Sequence, residues 1–88
     1  MERTVRERVL RVLRQATESE DVLSQPDLPL YGAGLLDSLG TVTLIVALDE
    51  EFGLTVSPAE FDPQAWATPA QLVADIERRL ASEQYQKV

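Results

Sequence analysis

Apolar residues recur at helical spacing in three stretches of this chain, and no stretch alternates long enough to suggest a strand. Val5, Val9, Val12, Leu13 and Ala16 form the first stripe, with Arg and Glu around it, and predict a helix from Glu2 to about Glu18. Thr41, Leu44, Ile45, Leu48 and Phe52 form the second. Its helix opens at Asp37, an N-cap residue, and stops at Gly53, which suits the left-handed turn after a helix end. Leu72, Val73, Ile76 and Leu80 mark a last helix from Pro69 to about Ser82, started by the cap-plus-proline pair Thr68-Pro69. Ser57-Pro58-Ala59-Glu60 repeats that start with a capping-box acid and predicts a short helix ending near Phe61, after an extended link at Leu54-Thr55-Val56.

Two connections separate these elements. Ser19 to Asp37 reads as a long loop, punctuated by Pro26, Pro29, Gly32 and Gly34, with Leu28, Leu30, Tyr31, Leu35 and Leu36 available to pack it onto the body. Loops of this length inside a compact domain are often functional. Asp62 to Ala67 is a second connector, carrying Pro63 and Trp66. The fold class is therefore all-α: a small four-helix bundle of three main helices and one short one, with a long first loop. The 88 residues make a single domain, 1–88, with a core at about 5–80 and a frayed tail at 83–88.

The helix after Asp37 carries more apolar surface than one stripe requires. At about 100° per residue, Leu39, Val42 and Val46 lie off the core stripe. Ser38, Val42 and Asp49 fall close together, with Val46 beside them and Glu50 beyond. This second patch is apolar in the middle, acidic at its far end, and starts at a serine hydroxyl. A helix in so small a bundle should not bury both sides, so the patch reads as a partner-binding surface. The other reading is that the helix lies centrally and neighbours cover both faces.

Composition narrows the chemistry. There is no Cys and no His, which excludes disulfides, Cys/His zinc sites and nucleophile–histidine catalysis. The net charge is −7, and no Lys or Arg occurs from Gln15 to Glu77. An acidic body repels nucleic acid and attracts basic protein surfaces, so no nucleic-acid partner is expected. Arg3, Arg6, Arg8, Arg11 and Arg14 are concentrated in the first helix, where they serve as a solvated surface. No stretch approaches the ~20 apolar residues of a membrane span, and the Arg-rich start does not read as a secretory signal. A cytoplasmic monomer without membrane insertion is expected.

Ser38 ends the long loop, begins the helix with the spare apolar patch and follows Asp37, whose carboxylate suits a basic group on an incoming enzyme. Its place at a helix N-terminus favours an attached phosphate. Serine after an Asp cap is also an ordinary helix start.

Gly34-Leu35-Leu36-Asp37-Ser38-Leu39-Gly40-Thr41-Val42 resembles the attachment motif of the acyl and peptidyl carrier proteins. Leu44 to Gly53 resembles that family's acidic recognition helix, Ser57 to Phe61 its short third helix, and Trp66-Ala67-Thr68 the start of its fourth. Three details are similar to the D-alanyl carrier branch of teichoic acid alanylation: Gly40-Thr41-Val42 after the serine, the run Leu44-Ile45-Val46, and the connector from Phe61 to Ala65-Trp66 and Thr68. The Arg-rich first helix and the loop Ser24-Gln25-Pro26-Asp27-Leu28-Pro29 depart from the pattern.

The resemblance implies a non-catalytic carrier with 4′-phosphopantetheine attached to Ser38, installed from coenzyme A by a phosphopantetheinyl transferase. An ATP-dependent adenylating ligase, of the D-alanine–carrier type, would form a thioester on the arm. The cargo would pass to an acceptor acyltransferase, membrane-bound in the D-alanyl version. Asp37, Leu39, Val42, Val46, Asp49 and Glu50 would form the recognition surface. A stand-alone acyl or peptidyl carrier of fatty acid, polyketide or other natural-product synthesis is the alternative within the family. Outside it stand an unmodified helical adaptor, in which Ser38 is only a helix-start residue, and a small hydrolase using Asp37 and Ser38, for which no base stands out.

Overall fold

The computed structural model describes residues 4–56 and 62–86, with backbone alone for 83–86. Its helices are α1 (Val5–Thr17), α2 (Asp21–Ser24), α3 (Ser38–Phe52) and α4 (Pro69–Gln86), with a 3-10 turn at Pro63–Trp66 before α4. No strand occurs among the described residues, and the all-α expectation holds. The short helix expected at 57–61 lies outside the described residues.

The apolar stripes become the core. α1 packs against both α3 and α4, and Val9, Leu13, Leu44, Leu48, Leu72 and Ile76 are fully buried where they meet. The starts of α1, α3 and α4 are each made by a side chain that takes a backbone amide left over in the first turn. Thr4 Oγ1 accepts from Glu7 N, Asp37 Oδ1 from Gly40 N, and Thr68 Oγ1 from Gln71 N. At the other end of α3, Gly53 adopts φ 67°, the left-handed conformation that glycine takes without a Cβ clash, and its N–H donates to Asp49 O at 2.7 Å. α4 continues to Gln86, past the expected end at Ser82.

Both connections hold more structure than their composition suggested. The long loop contains a helical turn, α2, because Ser19 Oγ accepts from Asp21 N at 3.2 Å and Val22 drops into the core. The loop is then tied down by backbone hydrogen bonds. Leu30 N donates to Ala67 O at 2.8 Å, Leu30 O accepts from Leu35 N and Leu36 N, and Ala70 N donates to Pro26 O at 3.1 Å. In the second connector Asp62 Oδ1 accepts from Gln64 N at 3.0 Å and Pro63 supplies the fixed φ of a first helical position, so the segment winds into a 3-10 turn. That turn buries Trp66, whose Nε1 donates to Asp75 Oδ2 at 2.8 Å.

The first-helix arginines are not all solvated surface, which corrects the reading above. Arg8 Nε donates to Glu51 Oε2 at 2.7 Å and Arg8 also reaches the Glu51 carbonyl at 2.8 Å. Arg11 contacts the same carboxylate at 3.3 Å, and the Arg8 guanidinium lies 4.5 Å from the Phe52 ring centre. The Arg8 hydrogen bond, helped by the charges of Arg11 and Arg8 against a smaller opposing effect of burial, holds the Glu51 carboxyl below its usual range. These contacts clamp the start of α1 to the end of α3.

Candidate functional site

The α3 start is built from two residues that do different work. Asp37 has extended backbone (φ −133°, ψ −171°), and its carboxylate closes on the Gly40 amide at 2.7 Å. A Cβ at Gly40 would stand 3.2 Å from that carboxylate oxygen, tighter than ordinary contact, so the glycine leaves room for the cap to seat. Ser38 is then the first helical residue, exposed. Its hydroxyl makes no hydrogen bond among the described residues, and it stands where unpaired amides and the helix dipole favour a phosphate.

Beneath Ser38, Thr41 is 6% exposed, and its N–H and Oγ1 both donate to the Asp37 carbonyl at 2.8 Å. Thr41 Oγ1 also lies 2.8 Å from the Tyr31 hydroxyl, which the long loop brings across. Asp37, Ser38, Thr41 and Tyr31 line one groove of about 500 Å³, whose other walls among the described residues are Val42, Ile45 and Pro63. The sequence placed Asp37, Ser38 and Val42 together. It did not find Tyr31, Thr41 or Pro63, whose approach depends on how the two connectors pack.

Along α3 from Ser38, Leu39 is 76% exposed, Val42 49% and Val46 53%, while Thr41, Leu44, Ile45 and Leu48 of the same helix are buried. The helix therefore has two apolar sides and buries one among the described residues. Asp49 and Glu50 are exposed at the far end and make no ion pair among the described residues, in contrast to Glu51. The six residues expected to surround Ser38 thus share one exposed side of α3 and its cap.

The chemistry open to this arrangement is narrow. The chain has no His or Cys, and among the described residues the titratable groups lining the groove are Asp37, whose Oδ1 is engaged by Gly40, and the phenol of Tyr31. Among the described residues no base is hydrogen-bonded to Ser38, and its exposed hydroxyl is suited to being modified by another enzyme. An exposed hydroxyl, a helix N-terminus and an adjoining groove with mostly apolar walls fit a phosphodiester-linked arm. No helix among the described residues is long and apolar enough to cross a membrane.

Comparison with known proteins bears on the same residues. The family described as "Phosphopantetheine attachment site" matches residues 3–79. The chain is 40% identical over 72 residues to the D-alanyl carrier protein of Listeria welshimeri, covering 82% of this chain and 92% of the relative. It is 37% identical over 73 residues to that of Enterococcus faecalis (83% and 94%) and 43% identical over 70 residues to that of Lacticaseibacillus casei (80% and 86%).

Proposed function

We propose, from the premise that this chain belongs to the phosphopantetheine-attachment family, that Ser38 is its attachment residue and that its cargo is D-alanine destined for teichoic acid. The family's members are carriers with a covalent 4′-phosphopantetheine and not catalysts. The observation that carries the residue assignment is the α3 start: an exposed hydroxyl with no hydrogen bond among the described residues, set on a capped helix N-terminus. The cargo rests on the similarity to the Listeria, Enterococcus and Lacticaseibacillus D-alanyl carrier proteins.

Bound, the arm supplies the thiol that this cysteine-free chain lacks, on which an activated acyl group is held as a thioester. Ser38 would hold the phosphate, with the first-turn amides of α3 beside it. Val42, Ile45 and Pro63 offer apolar walls next to the arm's root. The partners are a transferase that uses coenzyme A, an ATP-dependent D-alanine ligase and an acceptor acyltransferase at the membrane. Dependence on coenzyme A and ATP would support a cytoplasmic site of action.

Two measurements test the reading. Intact mass before and after incubation with coenzyme A and a broad-specificity transferase should rise by one phosphopantetheine. A panel of adenylating ligases should then load the product with D-alanine in preference to other amino acids, and preference for another amino acid or for acyl groups would move the cargo assignment elsewhere in the family.

Partner recognition is the next expected outcome. Reversing Asp49 and Glu50 to Lys should raise the KM for the carrier about fivefold or more in ligase loading, because exposed rim charges act mainly on encounter. The melting temperature should change by no more than about 2 °C, since neither carboxylate has an ion-pair partner among the described residues. Raising salt should slow the parent and leave the variant nearly unaffected. Equal KM values in low salt would make this acidic end ordinary solvated surface.

A further inference from the structure

The geometry points to Tyr31 as a positioning residue for modification of Ser38, acting through Thr41 on the Asp37–Ser38 peptide. The inference rests on Ser38 being the attachment residue, but its structural half can be measured without any modification.

Proton bookkeeping orients the chain of contacts. A threonine hydroxyl has one proton to give. Thr41 Oγ1 donates to the Asp37 carbonyl at 2.8 Å, so the 2.8 Å contact with Tyr31 is made by the phenol donating to Thr41. The order is Tyr31 O–H to Thr41 O–H to the Asp37 carbonyl, an arrangement in which each hydrogen bond polarises the next. The Asp37 carbonyl also accepts Thr41 N at 2.8 Å, and the Asp37 side chain accepts Gly40 N at 2.7 Å. The Asp37 carbonyl and the Ser38 N–H belong to one planar peptide group. Fixing the carbonyl therefore fixes the plane from which Ser38 departs.

The far end of this strut is held as firmly. Leu30, next to Tyr31, is fully buried, donates to Ala67 O at 2.8 Å and accepts from Leu35 N and Leu36 N. The long loop thus reaches Ser38 not only along the chain but also across space, through one phenol. Tyr31 and Thr41 line the same groove as Ser38 and touch nothing that reacts. Their effect is to limit the ways the Ser38 turn can face an incoming phosphate donor, which is the orientational part of a transfer barrier.

Tyr31→Phe removes the hydroxyl and keeps the ring. With a phosphopantetheinyl transferase and coenzyme A, the variant should lose about fivefold in kcat, the effect of one hydrogen bond, with KM for the carrier changed less than twofold. Hydrogen exchange of the Gly40 and Thr41 amides should accelerate by a similar factor. Thr41→Val should show the same kcat loss, the double variant Tyr31→Phe/Thr41→Val should be no slower than Thr41→Val alone, and Thr41→Ser should restore the parent rate. Parent kcat and parent amide exchange in Tyr31→Phe would overturn the inference and leave Tyr31 a space-filling ring. If the parent protein itself gains no phosphopantetheine, the attachment reading fails, and the amide exchange alone then decides whether the strut exists.

Discussion

Ser38→Ala is expected to abolish the coenzyme-A-dependent mass gain and leave the protein as stable as before. The first half follows from chemistry, because alanine has no oxygen to carry a phosphate. The second follows from position. Ser38 is the first residue of α3, and the cap is made by Asp37 through Gly40 N, which the substitution does not touch. The Ser38 hydroxyl accepts no first-turn amide, and alanine is the best helix former, so the change should stay within about 0.5 kcal/mol. Unchanged circular dichroism and melting would then tie the lost mass gain to the hydroxyl. Ser24→Ala, at another exposed serine in a helical turn, should keep the full gain. A gain that survives in Ser38→Ala would place the attachment on another hydroxyl. No gain in the folded, unmodified parent would favour the adaptor reading.

Asp37 needs a different expectation because its carboxylate is structural as well as exposed. The two residues of the motif are thus separable: one holds the helix start, and the other is left free by it. That division was legible in the sequence because capping is local. An acid followed three positions later by a small residue, at the head of an apolar stripe, specifies both the helix start and the oxygen that seats it. The start at Thr68 is local in the same way, whereas the first helix, read as beginning at Glu2, is capped by Thr4 and begins at Val5. The stop at Gly53 was legible because few other residues accept a positive φ at no cost.

The spare side of α3 was also legible, and for a simple reason. Taken together, Leu39, Val42 and Val46 with Thr41, Leu44, Ile45 and Leu48 span more than half of the helix circumference, and a chain this short has few elements with which to cover so wide an arc. The same wheel contained a distinction that the sequence reading did not use. At about 100° per residue, Glu51 falls beside Leu44 at the edge of the buried stripe, whereas Asp49 and Glu50 fall on the side of Val42 and Val46. The position of Glu51 marks it for an intramolecular partner, and Arg8 and Arg11 supply one. So the acidic end of α3 is divided between the fold and the solvent.

The contacts that stayed hidden join residues whose approach is decided by packing. Tyr31 and Thr41 meet because Leu30 is pinned to Ala67, and nothing local in either segment announces it. The helical turn at Asp21–Ser24 is too short for a periodic signal and exists because Val22 is buried. Asp75 is the plainest case. It counts in the sequence as one more charge of an acidic surface, yet it is 7% exposed. Its neighbours at the edge of the α4 stripe, with Arg78 and Arg79 three and four positions on, were the available signal.

Asp75→Ala is accordingly expected to be the most destabilising of these substitutions, by about 2–3 kcal/mol. The Asp75 carboxylate accepts from Trp66 Nε1 at 2.8 Å, from Arg79 Nε at 2.7 Å and from Arg78. Removing it deprives the buried indole of this acceptor and the 3-10 turn of its tie to α4. Pro63 sits in that turn and walls the groove beside Ser38, so the loss should reach the modification site as well. For a domain of this size the melting temperature should fall by roughly 10–20 °C. Asp75→Asn keeps an oxygen for the indole and should lose less, mainly the charge-assisted part of the arginine contacts. Burial by itself would raise the Asp75 pKa, but hydrogen bonds from Arg79, Trp66 and Arg78 together with the charge of Arg79 outweigh it, and the carboxyl titrates below its usual value. A carboxyl with a lowered folded-state pKa binds its proton more readily when the chain is unfolded. Its stabilisation is therefore present above the unfolded value of 3.8 and is lost as pH falls through the lower folded one. Urea melts between pH 7 and pH 2 should show the parent losing stability at the acid end, with the difference between parent and Asp75→Asn shrinking there. A difference that stays constant to pH 2 would mean that the charge of Asp75 contributes nothing and that its oxygen alone supports Trp66.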